Sequence, residues 1–145
     1  MGVVPFTDRE LTRAWRELAV VATPINGGQR NNSHRLLLFY AVECGLKAVF
    51  LKRQNRSVFD QNDVDNSGHD LRKLLKALNV GSNLALPHNL QLRPITIQNL
   101  SHPRNGDVRI LHQAWRYGGY CITPTDQDCE VQLQQILDWL KGELK

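Results

Sequence analysis

SHRLLLFYAVECGLKAVFL, residues 33–51, decides the fold: it is an apolar run broken only by a few polar side chains at helical spacing. Apolar residues fall on almost every side of such a helix, which places it in the middle of a bundle rather than on a surface. Tyr40, Glu43 and Lys47 follow one another at steps of three and four and so share one face. Glu43 precedes Lys47, the favourable order for a helical ion pair. Polar groups on a buried helix need partners, and Glu43 with Lys47 reads as a structural polar pair.

Upstream, Thr7-Asp8-Arg9-Glu10 has the form of a capping box and introduces Leu11, Ala14, Trp15, Leu18 and Ala22 at amphipathic spacing. This first helix ends before Pro24, and Ile25-Asn26-Gly27-Gly28 is a turn. Asn31, Asn32 and Ser33 are cap candidates for the long helix, which the pattern carries to Lys52 or Arg56. So short a connection makes the two helices antiparallel neighbours.

Downstream, residues 61–68 are polar turn material without an apolar period, and Leu71, Leu74, Leu75 and Leu78 then mark a short third helix. Residues 79–107 hold Pro87, Pro94 and Pro103. Leu90-Gln91-Leu92-Arg93 alternates over a few residues, which fits either a short strand or an extended loop crossing the bundle. Ile110, Leu111, Ala114 and Trp115 define a fourth helix that starts at Val108 and ends at Gly118-Gly119. Cys129, Leu133, Ile136, Leu137, Leu140 and Leu144 define the last, capped by Thr123 or Thr125, with Asp126 and Asp128 in its first turn. The expectation is an all-α, up-and-down bundle of about five helices, one domain over residues 1–145 with 79–107 as a variable insert or loop.

A chain of 145 residues, 41% hydrophobic and 22% charged, suits a single globular core. Cys44, Cys121 and Cys129 are odd in number and form no C-x-x-C pair, which argues against a disulfide framework or a structural zinc site. No metal or cofactor is expected. The N-terminus lacks the pattern of a secretory signal and the apolar run is broken by Glu43 and Lys47, so the expected location is cytoplasmic, without a membrane span. A net charge of +4 favours an anionic partner such as RNA or a nucleotide. Basic residues bunch at Lys52, Arg53 and Arg56 and again at Arg72, Lys73 and Lys76, although solvated helix ends produce such runs too.

Three local motifs resemble the HEPN superfamily, compact helical domains of prokaryotic toxin-antitoxin modules, phage-defence systems and RNA-processing proteins. YAVECGLKAVFL at 40–51 is similar to that family's central helix, in which a Glu and a following Leu-Lys-Ala recur. Gly68-His69-Asp70-Leu71, with Leu74-Leu75 after it, resembles the family's His-Asp-Leu helix start. Trp115-Arg116-Tyr117 is like the Arg-Tyr pair closing the family's fourth helix. The resemblance spans roughly 31–78 and 108–141. Active family members also resemble one another in an Arg followed, after four to six residues, by a His. No His here (His34, His69, His88, His102, His112) has an Arg at that distance upstream, so the family's nuclease signature is absent.

Metal-free cleavage of RNA needs a group that deprotonates the ribose 2′-hydroxyl and a cation for the phosphate. The resemblance makes Arg116 the cation candidate, with Tyr117 and Tyr120 able to orient a phosphate or stack a base. The plain alternative pairs Arg116 with Glu43 inside the bundle. His69 is either a proton acceptor at a helix start or, with Asp70, a local cap. His112 lies four residues before Arg116 on the same helical face, and is either its partner or an exposed, idle side chain. His34 and Arg35 are either an anion site at the start of the long helix or surface residues. Lys52, Arg53, Arg56, Arg72, Tyr117 and Tyr120 are the candidate nucleic-acid or nucleotide contacts.

The resemblance implies a dimeric subunit of a defence or toxin-antitoxin system that binds RNA, a nucleotide or a cognate partner protein from the same operon. The alternatives are a metal-independent RNase built on Arg116 with His112 or His69, and a partner or substrate of a nucleotidyltransferase.

Overall fold

The structure, a computed structural model, describes residues 4–144. Strand β1 (Phe6–Thr7) leads into helix α1 (Asp8–Ala22), where the Thr7 hydroxyl accepts from the Glu10 N–H and the Glu10 carboxylate accepts from the Thr7 N–H, the expected capping box. A short 3-10 turn joins it to α2 (Asn32–Arg53). Asn31 caps α2 by accepting from the His34 N–H, while the His34 ring nitrogen accepts from the Asn31 N–H. At 22 residues α2 runs about 33 Å. Eleven of those residues are buried, including Leu38, Phe39, Val42, Leu46 and Leu51, so the helix is the axis that its sequence predicts.

Strand β2 (Val58–Phe59) pairs antiparallel with β1. Helices α3 (Gln61–Ser67) and α4 (Leu71–Ala77) follow, capped by Asp60 and Asp70. Strands β3 (Leu90–Ile97) and β4 (Leu100–Gly106) form a hairpin, a 3-10 turn opens α5 (Leu111–Arg116), β5 (Cys121–Thr123) pairs with the other edge of β3, and α6 (Asp126–Glu143) closes the chain. The apolar stripe of α6, Leu133, Ile136, Leu137 and Leu140, joins the leucines of α4 and Trp115 of α5 in one core around α2.

The molecule is therefore mostly helical but not all-α. It has six helices among the described residues and two small antiparallel sheets, where an all-helical bundle of about five was expected. Residues 61–67 escape a periodicity test because Val64 is their only apolar residue. Capping holds them: Asp60 accepts from the Asp63 N–H, and the buried Asp63 carboxylate takes a bidentate pair of bonds from Arg56 at 2.9 and 2.5 Å.

Residues 79–107 prove to contain the hairpin rather than a loop. Only Leu90 and Leu92 of β3 reach the core, so the alternation visible in sequence ends where burial ends. The ladder shifts register between Leu92, opposite Arg104, and Ile95, opposite His102, leaving Arg93 and Pro94 against Pro103 alone. A bulge there excuses both prolines, which have no N–H to give to a ladder. Gln98 and Asn99 turn the hairpin with φ of 52° and 68°, the left-handed pair that fits a two-residue turn.

Candidate functional site

Glu43 is buried at mid-height on α2, and its carboxylate faces the start of α4. It accepts from the Lys47 ammonium at 2.8 Å and bonds His69 Nδ1 at 3.1 Å. The Lys47 ammonium also sits 5.1 Å above the Phe59 ring, which covers that side of the ion pair. Burial pushes the Glu43 carboxyl up, but the His69 bond and the Lys47 charge outweigh it and hold the group below the ordinary carboxylate range. The alternative pairing of Glu43 with Arg116 is thus replaced: Glu43 is satisfied by His69 and Lys47, and Arg116 donates to the Tyr40 hydroxyl.

His69 does not bond local backbone as a cap. Asp70 alone does that, accepting from the Arg72 N–H at 3.1 Å. The bond to Glu43 raises the pKa of His69, with its side chain 58% exposed. His112, which one reading left idle on the surface, is only 8% exposed. Its ring lies 4.9 Å from that of His69 and 5.6 Å from that of Phe39. Burial lowers its pKa, and the neighbouring charges of His69 and Arg116 lower it further. Two histidines in contact therefore have proton affinities pushed apart, the pattern that separates an acid from a base.

Arg116 stands at the exposed edge of this group. Its guanidinium donates to the Tyr40 hydroxyl, which with the nearby Tyr117 deepens its charged state, and it lies 6.0 Å from the Tyr40 ring centroid. Among the described residues no carboxylate forms an ion pair with it. The cation is thus held in place by a neutral acceptor, the Tyr40 hydroxyl, with its charge left for an outside anion.

Three of the other candidate cations are spent elsewhere. Lys52 donates to the Glu143 carbonyl at 2.6 Å, Arg53 to the Leu78 carbonyl, and Arg56 to Asp63. Lys52 and Arg53 fasten α2 to α6 and to the end of α4, and Arg56, just past α2, holds α3. Arg72 lines a separate cavity of about 230 Å³ with Lys76. Tyr117 and Tyr120 are 78% and 52% exposed, and Tyr120 lies 5.8 Å beneath the Arg93 guanidinium. His34 is consumed in the α2 cap, and Arg35 is buried in ion pairs with Glu130 and Asp126. Neither forms an anion site.

Sequence reasoning placed Tyr40 on the right face without giving it the role of holding Arg116. It missed Arg93 and Arg104, whose strand could not be told from a loop. Burial pushes the Cys44 thiol up to about 11, which removes it as a nucleophile. Among the described residues no group of three or more His, Cys, Asp or Glu is placed to hold a metal ion, and no helix is long and apolar enough to cross a membrane. No family model matches the chain, and no curated protein or solved structure matches it either.

Proposed function

We propose that this chain is a HEPN-like helical subunit that holds a phosphate-bearing ligand, RNA or a nucleotide, on the face formed by Tyr40, His69 and Arg116. The observation that carries the reading is the junction of α2, α4 and α5, where Glu43 positions His69 and the Tyr40 hydroxyl positions an acid-free Arg116. A fixed guanidinium beside an imidazole of raised pKa is a receptor for a phosphodiester or a terminal phosphate. The setting in a defence or toxin-antitoxin system, and a cognate operon partner, rest on the three sequence motifs. A homodimer rests on them too, with Val20, Val21 and Ile25 exposed near the end of α1 as candidate contact surface; light scattering on the purified chain decides it.

The test is titration of an end-labelled single-stranded RNA, and separately of ATP, in EDTA at several salt concentrations. Affinity is expected to fall linearly on a log-log plot against salt and to drop at least tenfold, roughly, in Arg116→Ala. Binding unchanged by that substitution overturns the reading.

The histidine pair favours a second reading, metal-independent cleavage. The 2′-hydroxyl proton passes to the neutral His112 and the 2′-oxygen bonds phosphorus. The P–O5′ bond then breaks, and the leaving oxygen takes its proton from His69 while Arg116 neutralises the phosphorane. Binding is placed first because His112, 8% exposed, leaves little room for a hydroxyl beside its ring. Fragments ending in 2′,3′-cyclic phosphate, formed in EDTA and lost in both His69→Ala and Arg116→Ala, reverse that order. RNA recovered intact retires the nuclease.

A further inference from the structure

Tyr117, the residue after Arg116, lines a cavity of about 270 Å³ between the β-hairpin and α5. Its floor is apolar, Leu92 and Ile110, and its rim is Arg104, Asn105, Gln113 and Tyr117. The chain builds this hollow deliberately at two points. Gly106 brings the end of β4 onto α5's entry so closely that an added Cβ would meet Ile110 Cγ2 at 2.7 Å. Arg104 donates Nε and Nη2 to the Arg93 carbonyl at 3.0 and 2.6 Å, which fixes its guanidinium plane along the strand instead of letting it range through solvent.

The rim has two kinds of unused chemistry. The side-chain amides of Asn105 and Gln113 form no hydrogen bond to any other described residue and are exposed, so each offers a donor and an acceptor to a ligand. Tyr117, 78% exposed, borders the cavity. His112 and Arg116 occupy one face of α5, four residues apart. Gln113 and Tyr117 follow on the next, also four apart, so the helix presents a phosphate-binding edge and an amide-aromatic edge side by side.

We infer that the cavity bordered by Tyr117, Asn105 and Gln113 is a nucleobase slot, taking an unpaired base of an RNA strand whose phosphate lies on Arg116. A flat, partly apolar heterocycle with polar edges matches an apolar floor, an aromatic wall and two free amides, and the wall residue Tyr117 is next to Arg116 in the chain. Arg104 adds a cation at the rim of the cavity. This inference rests on the phosphate-binding reading above and adds the class of ligand: single-stranded RNA, read through a base and not through charge alone.

The test uses the full chain and a six-nucleotide RNA with a fluorophore at one end and 2-aminopurine in the middle, beside the same strand carrying an abasic site there. Anisotropy of the end label reports binding, and 2-aminopurine emission reports stacking. Binding is expected to quench 2-aminopurine, and the abasic strand to bind about tenfold more weakly. In Tyr117→Ala the quenching is expected to vanish and the two strands to bind within twofold of each other, roughly, because the stacking wall is gone. Gln113→Ala, at an exposed site, is expected to keep the quenching and narrow the gap between the strands. Equal binding of the two strands by the unaltered protein, with anisotropy still lost in Arg116→Ala, overturns the base slot and leaves the phosphate site standing. No rise in anisotropy with either strand overturns both.

Discussion

Two buried polar groups stand on the same helix, Arg35 in the first turn of α2 and Glu43 near its middle, 7% and 6% exposed, and the molecule treats them in opposite ways. Arg35 is enclosed. It donates to Glu130 at 2.6 Å and to Asn32 at 2.8 Å, and lies 3.6 Å from Asp126. Asp126 in turn accepts from the Trp115 indole at 2.9 Å and the Cys121 N–H at 3.1 Å. These bonds tie the start of α2 to α6, α5 and β5. The Glu43 group instead leads outward, from a buried carboxylate through a half-exposed imidazole to an exposed guanidinium. A closed network holds helices together; an open one leaves charge at the surface for something else to meet.

The largest effect that tests this contrast is on Arg35. Removing it strands Glu130 and Asp126 in a nearly dry site, so Arg35→Ala is expected to lose about 3–5 kcal/mol in urea unfolding. RNA affinity should stay unchanged under conditions where the variant remains folded. Arg116→Ala should do the reverse, leaving urea unfolding close to that of the unaltered chain because the group is exposed, while weakening RNA binding at least tenfold, roughly. If Arg116→Ala unfolds the chain as readily as Arg35→Ala does, the distinction between the networks is gone.

A smaller effect calibrates the contrast against packing alone. Gly45 lies on the side of α2 that faces α1 and α6, and a Cβ there would meet Leu140 Cδ1 at 2.5 Å and Trp15 Cδ1 at 2.8 Å. Gly45→Ala gains helix propensity but overpacks that seam, and a net loss of about 1–3 kcal/mol is expected by thermal unfolding. Neither polar network is touched, so the pH dependence of stability should stay that of the unaltered chain. A Gly45→Ala protein more stable than its parent means that α1 yields to the methyl and the axis is less tightly clasped than these distances imply.

The two networks were not equally legible in sequence. The 3.6-residue spacing of Tyr40, Glu43 and Lys47 gives their shared face directly, because helical geometry converts spacing into position. The pairing of Glu43 with His69 spans 26 residues and depends on how α4 docks, which no local pattern encodes. The Arg35 network spans 95 residues to Glu130, and a surface reading of Arg35 fails for the same reason. The apolar stripes of α1, α2, α4 and α6 were readable because burial imposes a period on them. The hairpin was not, since beyond Leu92 its residues are exposed and no period is imposed. Helix α3 lies in between: its start and stop are written in Asp60 and Gly68, but a seven-residue helix with one apolar side chain leaves only its caps to read.

The smallest expected effect concerns the pH range over which the open network contributes. His69 has its pKa raised in the folded state, so its bond to Glu43 adds stability that is fully present below the unfolded value of about 6.5 and fades as pH rises through the folded value. Glu43 has its pKa lowered, so its contribution is present above about 4.3 and fades as pH falls through the folded value. The pair is therefore strongest between those limits. Glu43→Gln removes the carboxylate charge, and the imidazole titration of His69, followed by NMR, should move to lower pH. The variant's loss of stability should be greatest near pH 5.5 and shrink toward pH 8. Its pH-dependent part should stay within about 1 kcal/mol, because the imidazole is more than half exposed and water screens it. His112 works against this slope, since its lowered pKa favours folding as pH rises. His112→Phe, which fills the same space beside Phe39, should steepen the fade of stability between pH 6 and 8 if the two rings oppose each other across one contact. An unchanged slope would mean that only His69 senses the proton and that His112 is packing.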